Sequence, residues 1–398
     1  MTISLTPARL ETLDWDFAEA KTNYATHGLH PYPAKYIPQI PHALIKELSQ
    51  PGEVVADIFA GSGTTLVEAL RLGRHAKGLD ANPLACLISE VKTSRFIHDE
   101  ATQLRRLAER AHQFASTLAP YPGSLFVKEP FISSAPRPDS EAIAFWFAPF
   151  VIEELAEMLQ WCRAMPTETT RKVAQVALSS IIVAVSRQDS DTRYVRREKN
   201  LTVGTTLKRF ARAIMDAAAA IEAFTHEVAP TLRCHVYAAN ILTKPEIGKL
   251  DLVVCSPPYP NAYSYHLYHM TRMVWLGMDQ PTFKRAEIGS HRKYSSKGKN
   301  GATVETFRNE MAIIFEWLGC QLRKGRYACF VVGDSTLRGV TVNNADLLAE
   351  VAADAGFREV ERLGRSMQAT KKAFNPEYGR IKTERIVILR NERRGEGE

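Results

Sequence analysis

The sequence predicts an α/β protein built on a doubly wound, largely parallel sheet that carries a mostly helical insertion. Strand-like and helix-like runs alternate over residues 52–91, and strand-like runs resume after residue 233. Between these regions helical periodicity dominates. Such alternation is typical of a parallel sheet with helices on both faces. We therefore predict that 1–98 and 233–398 form the two halves of one sheet domain and that 99–232 is a helical insertion.

The first half is predicted to contain, in order, a strand, a turn, a helix, a second strand and a second helix. The first strand is EVVADIFA (53–60), rich in β-formers, and it stops at the turn GSGTT (61–65). A helix follows over 65–73 and ends at a glycine. The second strand is AKGLDA (76–81), and a second helix opens at 83–91 with proline in its first turn.

The second half contains four strand-like runs and two helical ones. The strands fall at 234–240, 251–259, 327–334 and 385–390, and the helices at 303–319 and 344–355. This order extends the alternating pattern of the first half.

The amino-acid composition excludes several classes of protein. Of the 398 residues 45% are hydrophobic, and 51 Lys and Arg face 44 Asp and Glu, a net charge of +7. These values exclude a disordered chain and a disulfide miniprotein. The six cysteines show neither a C-x-x-C pair nor zinc spacing, and the most apolar stretch, 176–186, is too short to cross a bilayer. We expect a cytoplasmic protein without a metal or a membrane partner.

Two acids and two glycines point to a nucleoside-bearing cofactor. Asp57 ends the first strand, Gly61 and Gly63 follow it, and Asp80 ends the next strand nineteen residues after Gly61. Glycines let the backbone approach a ligand closely, and an acid at the second strand tip can accept hydrogen bonds from ribose hydroxyls. The pattern fits neither G-x-G-x-x-G nor a P-loop. S-adenosylmethionine fits best, and a purely structural tight turn is the alternative.

A second motif, SPPY (256–259), follows the apolar strand that begins at residue 251. Two prolines stiffen the turn, so that the Ser256 hydroxyl and the Pro257 carbonyl can both accept from one amino group. Tyr259 can stack on a base that has left the duplex. These features suit methylation of an exocyclic amine, whose weak nucleophile needs positioning and electrostatic help. A structural turn is again the alternative.

Together four segments resemble the amino-methylating DNA methyltransferases. They are HPYPAKYIP (30–38), DIFAGSGTT (57–65), GLDANPLA (78–85) and SPPY. The serine of SPPY is similar to the cytosine-N4 branch. The resemblance implies a class I S-adenosylmethionine-dependent methyltransferase fold that transfers methyl to cytosine N4 in double-stranded DNA by base flipping. It also implies a cognate restriction endonuclease as a partner and recognition of the DNA target by the insertion.

The resemblance assigns roles to residues. The catalytic set is Ser256, Pro257, Pro258 and Tyr259. The cofactor set is Tyr32, Pro33, Lys35, Asp57, Phe59, Ala60, Gly61, Ser62, Gly63, Thr64, Thr65, Asp80, Ala81, Asn82 and Asn240. Two positions depart from the family pattern, since Ile58 stands where proline is usual and Asn240 where an aspartate is frequent.

Basic stretches supply the DNA-binding candidates. Residues 187–212 hold eight Lys and Arg against three acids, and residues 279–299 hold six against two. Such patches can neutralise phosphates or can be solvated helix faces and loops. The candidates are Arg187, Arg193, Arg196, Arg197, Lys199, Arg292 and Lys293.

The aromatic segment 260–277, which follows SPPY, could line the base pocket or belong to the core. The sequence also leaves the substrate open in part. Adenine-N6 methylation, methylation of an RNA amine and non-catalytic DNA binding are the alternatives. Attack on carbon 5 of cytosine is excluded, because that chemistry usually uses a cysteine after a proline, and none of the six cysteines follows one.

Overall fold

A computed structural model describes residues 9–118, 129–260, 263–295, 301–366 and 383–393. Its main feature is a seven-stranded sheet in the order β10-β11-β7-β6-β1-β2-β5. The sheet strands are β1 (Val54–Asp57), β2 (His75–Asp80), β5 (Cys234–Ala238), β6 (Leu250–Cys255), β7 (Leu322–Gly333), β10 (Phe357–Ser366) and β11 (Thr383–Asn391).

Five neighbouring strands are paired in parallel, whereas the pairings made by β11 are antiparallel. β1 pairs in parallel with β2 on one side and β6 on the other, and β5 and β7 extend these pairings. β11 and β10 add an antiparallel hairpin at the far edge. This topology confirms the predicted doubly wound fold. The strand order reverses between β1 and β6, and ligands of such sheets bind beyond the carboxyl ends of the strands at that point.

Helices cover both faces of the sheet. On one face α1 (Gln39–Leu48) and α2 (Thr64–Arg71) pack on β1 and β6 through a shared apolar core. On the other face α13 (Val304–Gln321) and α14 (Asn344–Asp354) pack on β7, and α14 also packs on β10 and β11. The helix α3 (Pro83–Lys92) follows β2 and begins with an Asn82 side-chain cap.

The stretch between α3 and β5 is mainly helical. Its helices are α4 (Glu100–Leu118), α5 (Glu141–Trp146), α6 (Pro149–Arg163), α7 (Glu168–Val185) and α8 (Thr205–Glu227). They share one apolar core with α3 and with Trp275, which lies after β6. The division into one sheet domain with two halves, 1–98 and 233–398, and an insertion over 99–232 remains a prediction.

This stretch also contains a β-hairpin that the sequence does not predict. A two-stranded antiparallel hairpin, β3 (Gln188–Ser190) and β4 (Arg193–Arg196), projects after α7. Strands of three and four residues are too short to give a clear periodic signal.

Four short helices follow β6. They are α9 (Tyr265–Tyr268), α10 (Met270–Leu276), α11 (Gln280–Ala286) and α12 (His291–Ser295). A second small hairpin, β8 (Ser335–Leu337) and β9 (Val340–Val342), follows β7.

Candidate active site at the carboxyl edge of the sheet

The turn between β1 and α2 is a glycine loop with left-handed backbone. Gly61 and Gly63 have φ values of 49° and 77°. A Cβ atom at Gly63 would lie 2.9 Å from Ser89 Oγ and 3.1 Å from Ser89 Cα. Ser89, on α3, also donates a hydrogen bond of 3.0 Å to the Gly61 carbonyl. The loop is therefore held against α3, and the N-terminus of α2 with its free N–H groups lies at the carboxyl edge.

Asp57 ties this loop to the central strands. Its carboxyl accepts hydrogen bonds from the Phe59 N–H at 3.0 Å, Thr65 Oγ1 at 2.8 Å and the Tyr36 hydroxyl at 3.2 Å. Thr65 Oγ1 also lies 3.0 Å from the carbonyl of Val254, near the end of β6. Burial raises the pKa of Asp57 to about 7, although these hydrogen bonds act in the opposite direction. The glycine loop and the end of β6 are thereby held side by side.

Asp80 faces the same loop from the end of β2. Its Oδ2 accepts the Gly61 N–H and its Oδ1 accepts the Asn82 N–H, each at 2.8 Å. The side chain is half-buried, and desolvation raises the pKa of Asp80 to about 6. Each carboxylate oxygen has a second lone pair, so the group can still accept hydroxyl hydrogens from a ribose.

Tyr32 forms a wall over the glycine loop. A Cβ at Gly61 would lie 3.5 Å from Tyr32 Cε1, and Asn82 Nδ2 donates to the Tyr32 hydroxyl at 3.3 Å. The ring is stacked with Tyr265 at 5.8 Å between centroids and lies 4.9 Å from His269. The segment 30–38 therefore approaches both the glycine loop and the helices that follow SPPY.

The other residues predicted to bind the cofactor are distributed around this crevice. Phe59, Ala60 and Ser62 lie on the loop after β1, and Thr64 is the first residue of α2. Ala81 lies beside Asp80, and Pro33 and Lys35 lie on the segment of Tyr32. Lys35 Nζ donates to the His27 carbonyl at 3.1 Å. Asn240 stands two residues after β5, where its side-chain oxygen accepts the Leu242 N–H at 3.0 Å. That bond caps a short turn. It uses the side-chain oxygen of Asn240, so the amide nitrogen can still donate to a ligand.

The residues present fit a nucleoside cofactor. The hydroxyl of Ser62 is buried and has no hydrogen-bond partner among the described residues, although it lies between the two loop glycines. Asp80 keeps free lone pairs, and the α2 N-terminus offers N–H donors. An acceptor for ribose hydroxyls, a close backbone approach and an unsatisfied hydroxyl thus meet in one crevice.

The SPPY turn leaves the sheet beside the glycine loop. Ser256 directly follows Cys255, the last residue of β6, and is half-buried, whereas Pro257 is buried. A Cβ at Gly289 would lie 2.7 Å from the Tyr259 carbonyl oxygen, so the stretch before α12 packs tightly on this turn. Burial raises the pKa of Tyr259 well above its usual range, which keeps its ring neutral. An uncharged aromatic face and two oxygen acceptors lie on one stiff turn.

The aromatic segment after SPPY divides between two roles. Tyr265 stacks on Tyr32, and Tyr263 lies 6.1 Å from the Tyr265 ring. His266 is buried, with Nδ1 2.5 Å from Glu287 Oε2. His269 is also buried, and desolvation lowers its pKa well below the usual value. Tyr265 therefore packs on the wall of the crevice, and the contacts of His266 with Glu287 and of His269 with Tyr32 hold the segment in place.

The candidate DNA-binding residues of the hairpin differ in their surroundings. Arg196 and Arg197 are exposed, and the Arg196 guanidinium lies 5.0 Å from the ring centroid of Phe145. Arg193 is exposed and pairs with Asp189 at 3.3 Å. Arg187 Nε lies 3.0 Å from Glu198. Lys199 Nζ donates to the carbonyls of Val183 and Gln188 at 2.6 Å each, so its ammonium supports the backbone of the hairpin.

The two remaining candidates, Arg292 and Lys293, lie on α12. Burial raises the pKa of Tyr194, on β4, and the nearby Arg292 offsets part of that rise. Lys293 Nζ lies 2.6 Å from Glu310. Residues 296–300 of this basic stretch lie outside the described part of the chain. Arg292 is thus near enough to the hairpin to influence Tyr194, whereas Lys293 is paired with α13.

Several residues at the site were not predicted. Tyr36 binds Asp57 and Ser89 binds the loop, yet only Tyr36 gave a signal, because it lies within HPYPAKYIP. Gln188, Asp191 and Arg272 hold the hairpin, and their pairings join residues about eighty positions apart. A local sequence pattern carries no information about such contacts.

Among the residues that the structure describes, no group of three or more His, Cys, Asp or Glu side chains could hold a metal ion. None of the described helices has the length and apolar character that a membrane crossing requires.

Parts of the chain are similar in sequence or fold to known proteins. A family model described as DNA methylase matches residues 10–91. The Type II methyltransferase M.MjaII of Methanocaldococcus jannaschii is 24% identical over 76% of this chain and 74% of its own length. The Type II methyltransferase M.MvaI of Kocuria varians is 32% identical over 35% of this chain and 30% of its own. The solved rRNA methyltransferase AviRa of Streptomyces viridochromogenes aligns over 95% of this chain and 93% of its own, with 10% identity and a TM-score of 0.35.

Proposed function

Because this chain belongs to the amino-methylating DNA methyltransferases, which use S-adenosylmethionine, we propose that it methylates the N4 amine of cytosine in double-stranded DNA. The observation that carries the proposal is the SPPY turn at the end of β6, directly beside the glycine loop. Thr65 joins the two motifs through its contacts with Asp57 and the Val254 carbonyl. The serine in the first position favours cytosine, by resemblance to the N4 branch.

The amine acceptor would be held by the SPPY turn. The Ser256 hydroxyl and the Pro257 carbonyl accept the two amine hydrogens, which draws the nitrogen lone pair out of conjugation with the ring. Tyr259 stacks on the face of the flipped base. Pro258 keeps the turn stiff. The proton that the methylated amine releases passes to water, so the reaction needs no strong general base among these residues.

The crevice beside SPPY would hold the cofactor. S-adenosylmethionine supplies, when bound, a methyl group already activated by its sulfonium centre. Asp80 accepts the ribose hydroxyls, and Gly61 and Gly63 allow close approach of the backbone. Tyr32, with Pro33 and Lys35, closes the methionine end. Contacts to the rest of the nucleoside come from Asp57, Phe59, Ala60, Ser62, Thr64, Thr65, Ala81, Asn82 and Asn240, directly or by shaping the loops.

The hairpin and α12 would contact the DNA backbone. Arg193, Arg196, Arg197 and Arg292 are the phosphate contacts, with Arg187 and Lys293 at the edges. Lys199 supports the hairpin, since its ammonium binds two carbonyls. Residues 99–232 would supply target recognition.

By the same resemblance we propose that the protein works in the cytoplasm and that a cognate restriction endonuclease reads the same DNA site. The similarity to proteins named Type II methyltransferases supports the second point.

Blocked substrates test the choice of base. Mixed-sequence duplexes are made with ordinary nucleotides, with N4-methylcytosine throughout, or with N6-methyladenine throughout. Labelled S-adenosylmethionine should label the first and third libraries but not the second. Label in the second library and none in the third would indicate adenine-N6 methylation. A competing RNA pool that takes all the label would contradict DNA as the substrate.

A further inference from the structure

The β3–β4 hairpin docks directly on the segment that follows SPPY. Gln188 is buried, and its Nε2 donates to the Tyr268 carbonyl at 3.3 Å, while Thr271 Oγ1 donates to Gln188 Oε1 at 3.2 Å. The Tyr194 hydroxyl lies 3.2 Å from Met270 Sδ. The hairpin and the start of α10 are therefore joined by side-chain hydrogen bonds in addition to packing.

Arg272 lies at the centre of this contact. Its side chain is completely buried, and its Nε donates to the Ser179 carbonyl of α7 at 3.0 Å. Nη2 forms an ion pair with Asp191, in the turn of the hairpin. Nη1 lies 3.5 Å from His269 Nδ1. One guanidinium thus connects α7, the hairpin turn and α10.

The same segment also reaches the crevice. His269 packs on the Tyr32 ring at 4.9 Å, and Tyr32 covers Gly61. Asp191, Arg272, His269 and Tyr32 form a continuous series of contacts from the hairpin to the glycine loop. A displacement of the hairpin can therefore be transmitted to the glycine loop through packed side chains.

A buried ion pair is weak evidence for stability, because an apolar core of equal volume often stabilises as well. Its better attested contribution is to fix one arrangement among several. An isolated two-stranded hairpin is marginal in water and needs such a tether to keep a defined orientation.

We infer that Arg272 is a positioning residue for DNA binding, which holds the arginine-bearing hairpin at a fixed place relative to the base pocket. The inference rests on the proposed function, in which Arg196 and Arg197 contact phosphates. Without the Asp191 carboxylate, the hairpin loses its ion pair with Arg272 and is held less rigidly by the remaining contacts of Gln188 and Tyr194. Its arginines then meet the phosphates together less often.

The test compares Asp191→Asn and Arg272→Lys with the matched control Arg358→Met. Arg358 forms an exposed ion pair with Glu392 at 2.7 Å near the start of β10, outside the insertion and both basic stretches. DNA affinity is measured across salt concentrations, cofactor affinity by calorimetry and folding by thermal melting. Asp191→Asn should weaken DNA binding by about tenfold and flatten its salt dependence, with cofactor affinity within about twofold of the wild type. Arg272→Lys should act in the same direction, and Arg358→Met should match the wild type.

Unchanged DNA affinity and salt slope in a folded Asp191→Asn protein would overturn the inference. If Arg196→Ala and Arg197→Ala weaken DNA binding while Asp191→Asn does not, the inference fails and the proposed phosphate contacts stand. If the wild type shows no salt-dependent DNA binding, both fail.

Discussion

Asp80 Oδ2 accepts a hydrogen bond from the backbone N–H of Gly61, with 2.8 Å between the two atoms. This bond joins the acid at the end of β2 to the glycine loop at the end of β1. It fixes the carboxylate before any cofactor enters, so the cost of ordering that group is already met by the fold.

Cofactor affinity should therefore depend on pH through Asp80. Desolvation raises its pKa to about 6, so the carboxylate is lost as pH falls through that value. If binding needs the ionised form, the log of the dissociation constant should rise by about one for each pH unit below 6 and level off above it. Calorimetry with S-adenosylmethionine between pH 5 and 8 measures this.

The variant Asp80→Asn is the control for this profile. It should bind weakly, by about 10²-fold, because a charge-assisted acceptor of ribose hydroxyls is gone. Its profile should also lack the step near pH 6. A step that persists there would assign the titration to another group, such as Asp57, whose pKa is about 7.

Gly63→Ala should reduce cofactor affinity by about tenfold or more. The added Cβ would lie 2.9 Å from Ser89 Oγ, which pushes the loop away from α3, and a φ of 77° adds left-handed strain of about 1–2 kcal/mol. Gly73→Ala has a similar φ of 82°, but its Cβ would be 3.6 Å from Pro51. Thermal melts should show both variants destabilised, and only Gly63→Ala should lose affinity. Equal affinity losses would contradict a specific loop effect.

Ser256→Ala should lower turnover by about 10²-fold with little change in cofactor affinity, because the hydroxyl acts on the amine acceptor. Single-turnover kinetics and calorimetry separate the two effects. Ser180→Ala is the matched control, since Ser180 on α7 donates only to the Ala177 carbonyl in a helix. A loss of cofactor affinity without a loss of rate would refute the role given to Ser256.

Arg197→Ala should reduce the slope of log affinity for DNA against log salt by about 0.9, the effect of one phosphate contact. Arg197 is largely exposed, and its Nη1 forms an ion pair with Asp189 at 3.4 Å. Arg358→Ala, on β10 and outside both basic stretches, should leave the slope unchanged. Filter binding at several salt concentrations gives both values, and equal slopes for Arg197→Ala and the wild type would place Arg197 outside the interface.

The fold was predictable where the signal is local. The strand before Asp57, the turn of Gly61 and Gly63 and the strand before SPPY all appear in the structure, because periodicity and backbone preference act over a few residues. The predicted doubly wound sheet follows from the alternation of such elements.

Long-range pairings could not be predicted in the same way. Arg272 and Asp191 are 81 positions apart, and nothing near either residue in the sequence indicates the other. The hairpin that they hold also gives no periodic signal in the sequence, because β3 and β4 comprise only three and four residues. Such contacts are set by how α7 and α10 pack, which depends on the whole core.

The identity of the methylated nucleoside tests the central claim most directly. Duplex DNA is incubated with the protein and S-adenosylmethionine, digested to nucleosides and analysed by mass spectrometry, with Ser256→Ala in parallel. The account predicts N4-methylcytosine, strongly reduced in the variant. N6-methyladenine in place of N4-methylcytosine, or no methylated nucleoside from DNA while RNA is methylated, would contradict it.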